Sequence, residues 1–102
     1  MAKVVIEMTQ FRLVNDVADQ EFLRESEQVQ HVFLEKQPGY IDRELLKDEA
    51  GQWVDLLHWE TAAQAQSAAQ SMLAEPACQG FIAMIDLQSI TMLHFERQKQ
   101  WR

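Results

Sequence analysis

The sequence is short of several things that would declare a function at once. It holds a single cysteine, Cys78, so no internal disulfide can form and the disulfide-stapled secreted scaffolds are excluded. Two prolines and three glycines exclude collagen-like and linker-like chains. Basic residues are scarce: nine Lys and Arg stand against sixteen Asp and Glu, a formal net charge of −7. Thirteen of the acids fall in residues 1–60 with only six of the bases, an acidic front half that repels a phosphate backbone and disfavours a nucleic-acid partner. No run approaches the about 18 apolar residues of a membrane span. The opening Val4-Val5-Ile6 meets Glu7 after three residues, too soon for a signal-peptide core. These shortages predict a cytoplasmic protein with neither a membrane nor a nucleic-acid partner.

What is present is enough for one core. Of 102 residues, 47% are apolar and 25% charged, and three Trp and five Phe argue against disorder. The length fits one domain over 1–102, with 96–102 as a C-terminal tail. Arg97, Lys99 and Arg102 in that tail read as a solvated end. Cys78 follows Pro76-Ala77 at the start of a short helix and reads as a packed small residue.

Residues 3–13 are rich in β-branched and aromatic types and predict a first strand. Asp16 is the expected N-cap of a helix reaching about Gln37, with Phe22, Ser26, Val29 and Phe33 spaced along one face. Leu23 and Leu34 widen that face, and Pro38-Gly39 ends the helix. Tyr40–Lys47 and Gln52–Glu60 predict a hairpin around Asp48-Glu49-Ala50-Gly51. If Gly51 closes a bulged turn, Asp48 faces Gln52, Arg43 faces Leu57 and Leu45 faces Asp55. Thr61 and Gln64 have capping-box spacing before a second helix, whose expected buried stripe is Ala65, Ala68, Ala69, Met72 and Leu73. Ala77–Met84 is a short extra helix and Ser89–Glu96 the last strand. The order β-α-β-β-α-β predicts an α+β, ferredoxin-like fold, a four-stranded antiparallel sheet with its helices on one face.

The strands are apolar on both sides. Trp53, Asp55, Leu57 and Trp59 alternate with Val54, Leu56 and His58, and Ile90, Met92 and His94 with Thr91, Leu93 and Phe95. The helices cover one face only, so the other is expected to meet a second copy in a two-fold dimer.

The chain resembles the antibiotic biosynthesis monooxygenase (ABM) family. The resemblance spans residues 4–95: the strand Val4–Leu13, Gln37-Pro38-Gly39-Tyr40, Asp48–Trp53, Leu57-His58-Trp59-Glu60-Thr61, Ala74-Glu75-Pro76-Ala77-Cys78, and Phe81. It implies a dimeric α+β barrel in which two four-stranded sheets pack together with the helices outside. Some members oxidise polycyclic aromatics with oxygen and no metal or flavin; others degrade haem or have no known activity. The resemblance thus implies a homodimer that binds a small aromatic or quinone-like molecule and acts as a cofactor-independent monooxygenase. The alternative is a non-catalytic ligand-binding or structural homodimer.

The family's oxygenases place a polar side chain and a Trp four residues apart on the third strand, matched here by Asp55 and Trp59. Asn is the usual polar residue; an amide donates to a substrate oxygen, whereas an ionised Asp only accepts. The haem-degrading branch uses a second-helix His, and residues 61–75 contain none. Glu7, Arg43 and Asp55 are expected on one sheet face, where a buried Arg needs a carboxylate. They form either an ion network that fixes register or the dimer, or the polar base of a pocket with Trp59, Phe11 and Leu57. In the second reading Asp55 or Glu7 is the catalytic base, and the acid not paired with Arg43 is the better one. No metal site is expected: His31 lies on the first helix beside Gln28 and Glu35, and a site from His58 and His94 with Glu44 or Asp42 would require the strands to bring them together.

Overall fold

A computed structural model describes residues 3–102. The elements are β1 (Val5–Leu13), α1 (Asp19–Val32), β2 (Tyr40–Lys47), β3 (Trp53–Trp59), α2 (Ala62–Ala74), α3 (Gln79–Ala83) and β4 (Ile85–Glu96), with 3₁₀ turns at Leu34–Lys36 and Pro76–Cys78. The four strands form one sheet in the order β2-β3-β1-β4, every neighbouring pair antiparallel, which is the ferredoxin-like βαββαβ arrangement. The hairpin register follows from its turn. Asp48 Oδ1 accepts from the backbone N–H of Ala50 and Gln52, and Gly51 takes φ +86°. Asp48 then faces Gln52, Arg43 pairs with Leu57, and Leu45 with Asp55.

Local chemistry moves several boundaries. Asp16 does not cap α1: it occupies the turn at φ +69°, a left-handed conformation that Asp tolerates. Ala18 is the N-cap, without a side-chain bond, and Asp19 and Glu21 place negative charge in the first turn. The helix ends at Val32 rather than near Gln37, and the 3₁₀ turn that follows buries Leu34. Leu23, expected to widen the buried face, is exposed. Thr61 caps α2 as expected, its Oγ1 accepting from Gln64 N–H at 3.1 Å. The last strand begins at Ile85 instead of Ser89. Pairing with β1 resumes beyond a bulge between Gln10 and Arg12, as Arg12–Asp86 and Leu13–Ile85.

The helices all lie on the sheet face that carries Phe11, Trp53, Leu57 and Trp59. Phe22 of α1 is the hub, 5.6 Å from Phe11, 5.0 Å from Trp53 and stacked on Phe81 at 4.9 Å. Ala65 and Ala68 bring α2 close to the sheet, while Leu73, expected in the buried stripe, is 72% exposed. The other sheet face has no helix, and Leu46, Leu93 and Phe95 stand exposed on it. Among the described residues no helix is long and apolar enough to cross a membrane.

Candidate functional site

Alternation along the strands brings Glu7, Asp55, Leu57, Trp59 and Phe11 to the helix-covered face, where they line a cavity of about 180 Å³ closed on the far side by Ala68, Ala69 and Met72 of α2. The wall is apolar apart from Glu7, Thr9, Asp55 and the Trp59 indole N–H. Leu73, Leu87 and Met92, all exposed, ring its open side.

The two carboxylates have opposite surroundings. Asp55 is gripped by Arg43, whose Nε and Nη2 donate to its two oxygens at 2.8 and 3.0 Å. Arg43 also donates to the Ser26 carbonyl at 3.1 Å and to Ser26 Oγ at 2.7 Å, tying α1 to β2 and β3. With side-chain exposures of 6% and 11%, this is a buried ion pair. Arg43, expected at the ligand, does not line the cavity; its guanidinium is turned toward Asp55, Ser26 and the Phe81 ring instead.

Glu7 is 5% exposed and, among the described residues, has no guanidinium or ammonium partner. Its Oε1 accepts from Trp59 Nε1–H at 2.9 Å, and its Oε2 lies 3.4 Å from His94 Nε2. Burial pushes the Glu7 carboxyl above its ordinary value of 4.5. The Trp59 N–H and His94 oppose that rise, while the charge of Asp55 adds to it. A carboxyl with a raised pKa at the wall of an apolar cavity is suited to exchanging a proton with a bound hydroxyl.

His94 is the residue that sequence reasoning left outside the site. It pairs with Glu7 across β1 and β4, and only the long-range register reveals this. The strands do not bring His58 and His94 together: the two lie on opposite faces, and His58 bonds Asp42 on the helix-free side. His31 lies on the exposed side of α1, where it bonds Glu27, and Glu35 of the following 3₁₀ turn. Among the described residues no three metal-ligating side chains come together. Cys78 is fully buried, and burial pushes its thiol up, as expected of a packing residue.

No protein-family model matches the sequence, and no curated protein matches it. Solved structures do. SnoaB, a cofactor-independent oxygenase from Streptomyces nogalater, is 19% identical over 97% of both chains, with a TM-score of 0.73. A protein from Bordetella bronchiseptica assigned to the antibiotic biosynthesis monooxygenases is 13% identical over 93% of this chain and 97% of its own, with a TM-score of 0.77. A variant of MhuD with two manganese protoporphyrin IX bound per active site is 19% identical over 96% of this chain and 98% of its own, with a TM-score of 0.74. At such identities the likeness is one of architecture, and it covers nearly the whole chain: this protein has the ferredoxin-like fold of the antibiotic biosynthesis monooxygenase structures.

Proposed function

We propose that the cavity between the sheet and α2 binds a small aromatic or quinone-like molecule, and that the protein oxidises it as a cofactor-independent monooxygenase. The observation that carries this reading is the buried Glu7 carboxyl beside the Trp59 indole at an otherwise apolar cavity wall. Its likeness in fold to a cofactor-independent oxygenase supports it. A volume of about 180 Å³ suits one aromatic ring, or two with part of the second at the open side, given that roughly 150 Å³ accommodates benzene. A porphyrin is far larger than this cavity, and α2 offers it no imidazole, so the haem chemistry of the MhuD-like structures is not carried over.

The substrate in this reading is an electron-rich phenol or anthrone. Glu7 takes its proton, and the resulting anion is electron-rich enough to react with molecular oxygen directly. One oxygen atom ends on carbon as a carbonyl, and the other leaves as water with the two displaced hydrogens. The protein supplies a base, an orientation and an environment that excludes water. Asp55, held at both oxygens by Arg43, fixes the β2–β3 side of the cavity, and Thr9 offers a hydroxyl there.

The working unit is a homodimer. Leu46, Leu93 and Phe95 are exposed on the helix-free face, and Ile6, Met8, Val54 and Leu56 are half-buried there, a surface that a second copy would cover sheet to sheet. The single, buried cysteine supports a reducing, cytoplasmic setting.

Oxygen uptake with dihydroxynaphthalenes and anthrones tests the reading. Wild type should turn over at least one of them, and Glu7→Gln should lose about a hundredfold or more in rate. Tight binding without turnover would move the assignment to a non-catalytic ligand-binding dimer.

A further inference from the structure

Glu7 is enclosed, so a proton it removes from a ligand needs a way out. On the cavity side it meets apolar side chains, the Thr9 hydroxyl, the Trp59 N–H, which is itself a donor and cannot accept, and Asp55, whose two oxygens are already held by Arg43. The remaining neighbour is His94, with Nε2 3.4 Å from Glu7 Oε2. His94 differs from Glu7 in one respect that matters: its side chain is 43% exposed. It opens onto a second groove between α2 and β4, lined by Ala62, Gln66, Gln70, Leu73 and Met92. Leu73 and Met92 belong to both spaces, so Glu7 and His94 together bridge the wall between the inner cavity and the outer groove.

We propose that His94 is the proton exit of this site, relaying to solvent the proton that Glu7 takes from a bound hydroxyl. The proposal rests on the ligand reading given above. The substrate O–H bond breaks and a Glu7 O–H bond forms. That proton then passes to His94 Nε2, regenerating the Glu7 carboxylate, and the imidazolium gives a proton to bulk water in the groove. No electrons move in these steps.

The acids that share this face each have a basic partner of their own. From β3, Glu7 faces Asp55, already paired with Arg43 from β2. The α2 and α3 sequences contain no charged residue, and α1 packs inward through Phe22, Ser26 and Val29. His94 faces Glu7 from β1 and the amides Gln66 and Gln70 from α2. Along its own strand Glu96 shares its face, paired with Lys3 at 3.9 Å.

Two measurements on the full chain test the relay. In ¹³C NMR of the free protein, the Glu7 carboxyl should titrate at higher pH in His94→Gln than in wild type, because a group favouring its ionised form has gone. An unchanged midpoint would overturn the proposal. In stopped flow with a pH indicator and 1,5-dihydroxynaphthalene as probe, wild type should release a proton on binding. His94→Gln should bind the probe but release the proton about tenfold more slowly or worse, and free imidazole in the buffer should restore the rate. Release as fast as wild type, or slow release that imidazole does not restore, would overturn the relay while leaving the ligand reading standing. Failure of wild type to bind the probe or any related phenol would overturn the ligand reading and the relay with it.

Discussion

Arg43 and Asp55 sit diagonally across β2 and β3 and meet through two parallel hydrogen bonds of 2.8 and 3.0 Å. This pairing decides which acid on the face is free. Asp55 is committed to the guanidinium, and Glu7 is left with an indole and an imidazole. A lone Arg on a buried sheet face needed an acid; the geometry assigns it Asp55 and so separates the structural carboxylate from the one suited to proton exchange.

The first consequence concerns stability. Arg43→Ala strands the buried Asp55 carboxylate and removes the tie to Ser26, at an expected cost of about 3–5 kcal/mol. Adding Asp55→Ala should return part of that loss, because the pair is coupled. Urea unfolding of the two single variants and the double variant measures the coupling; strictly additive effects would contradict a buried pair.

A second expectation is a pH dependence set by Glu7. Unfolded, it ionises near 4.5; folded, it does so at higher pH because burial disfavours the charge. Between those two values the folded state holds more protons than the unfolded one. Stability contributed by Glu7 therefore falls as pH rises through that window and levels off above the folded value. Glu7→Gln keeps an oxygen for the Trp59 N–H but cannot ionise. Its stability relative to wild type should grow upward from pH 4.5 and then become constant. Chemical denaturation at a series of pH values checks this, and a difference flat across roughly pH 4–8 would contradict it.

Trp59 is expected to matter through its N–H as well as its ring. Trp59→Phe keeps most of the packing but leaves Glu7 Oε1 without its donor. The expected cost is about 1–3 kcal/mol, with a further rise in the pH at which Glu7 ionises. Thermal unfolding and carboxyl NMR read the two effects separately.

Assembly is tested on the open face. Wild type should scatter light as a dimer at micromolar concentration. Phe95→Asp, on the side opposite the cavity, should give monomers with the helical content unchanged. A monomeric wild type would contradict the sheet-to-sheet dimer.

How far the sequence revealed this molecule depended on the range of each interaction. The β2–β3 register was readable because Asp48 and Gly51 define a turn within a few residues, and the face shared by Arg43, Asp55 and Trp59 followed by alternation. The Thr61 cap was readable for the same reason. The start of α1 misled because Asp16 has the chemistry of a cap but is used for its tolerance of a left-handed backbone. Leu73 fits the helical stripe of Ala65, Ala68 and Met72, yet α2 passes over the cavity at that point and leaves it exposed. His94 stayed hidden because its place opposite Glu7 depends on a pairing between the first and last strands, interrupted by a bulge that no local motif announces.

The strand order β2-β3-β1-β4 also governs when the site can come into being. Glu7 lies on the first strand made, at the centre of the sheet, and waits for Trp59 from the third strand and His94 from the last. During synthesis a chain that has not reached Ile85 has one open edge on β1, and its buried acid has no imidazole beside it. Such long-range pairing is slow to form, since the closure entropy of nearly the whole chain precedes its reward. The final strand is thus the last seam of the fold, and only when it closes does Glu7, on the first strand, gain the imidazole of His94 beside it.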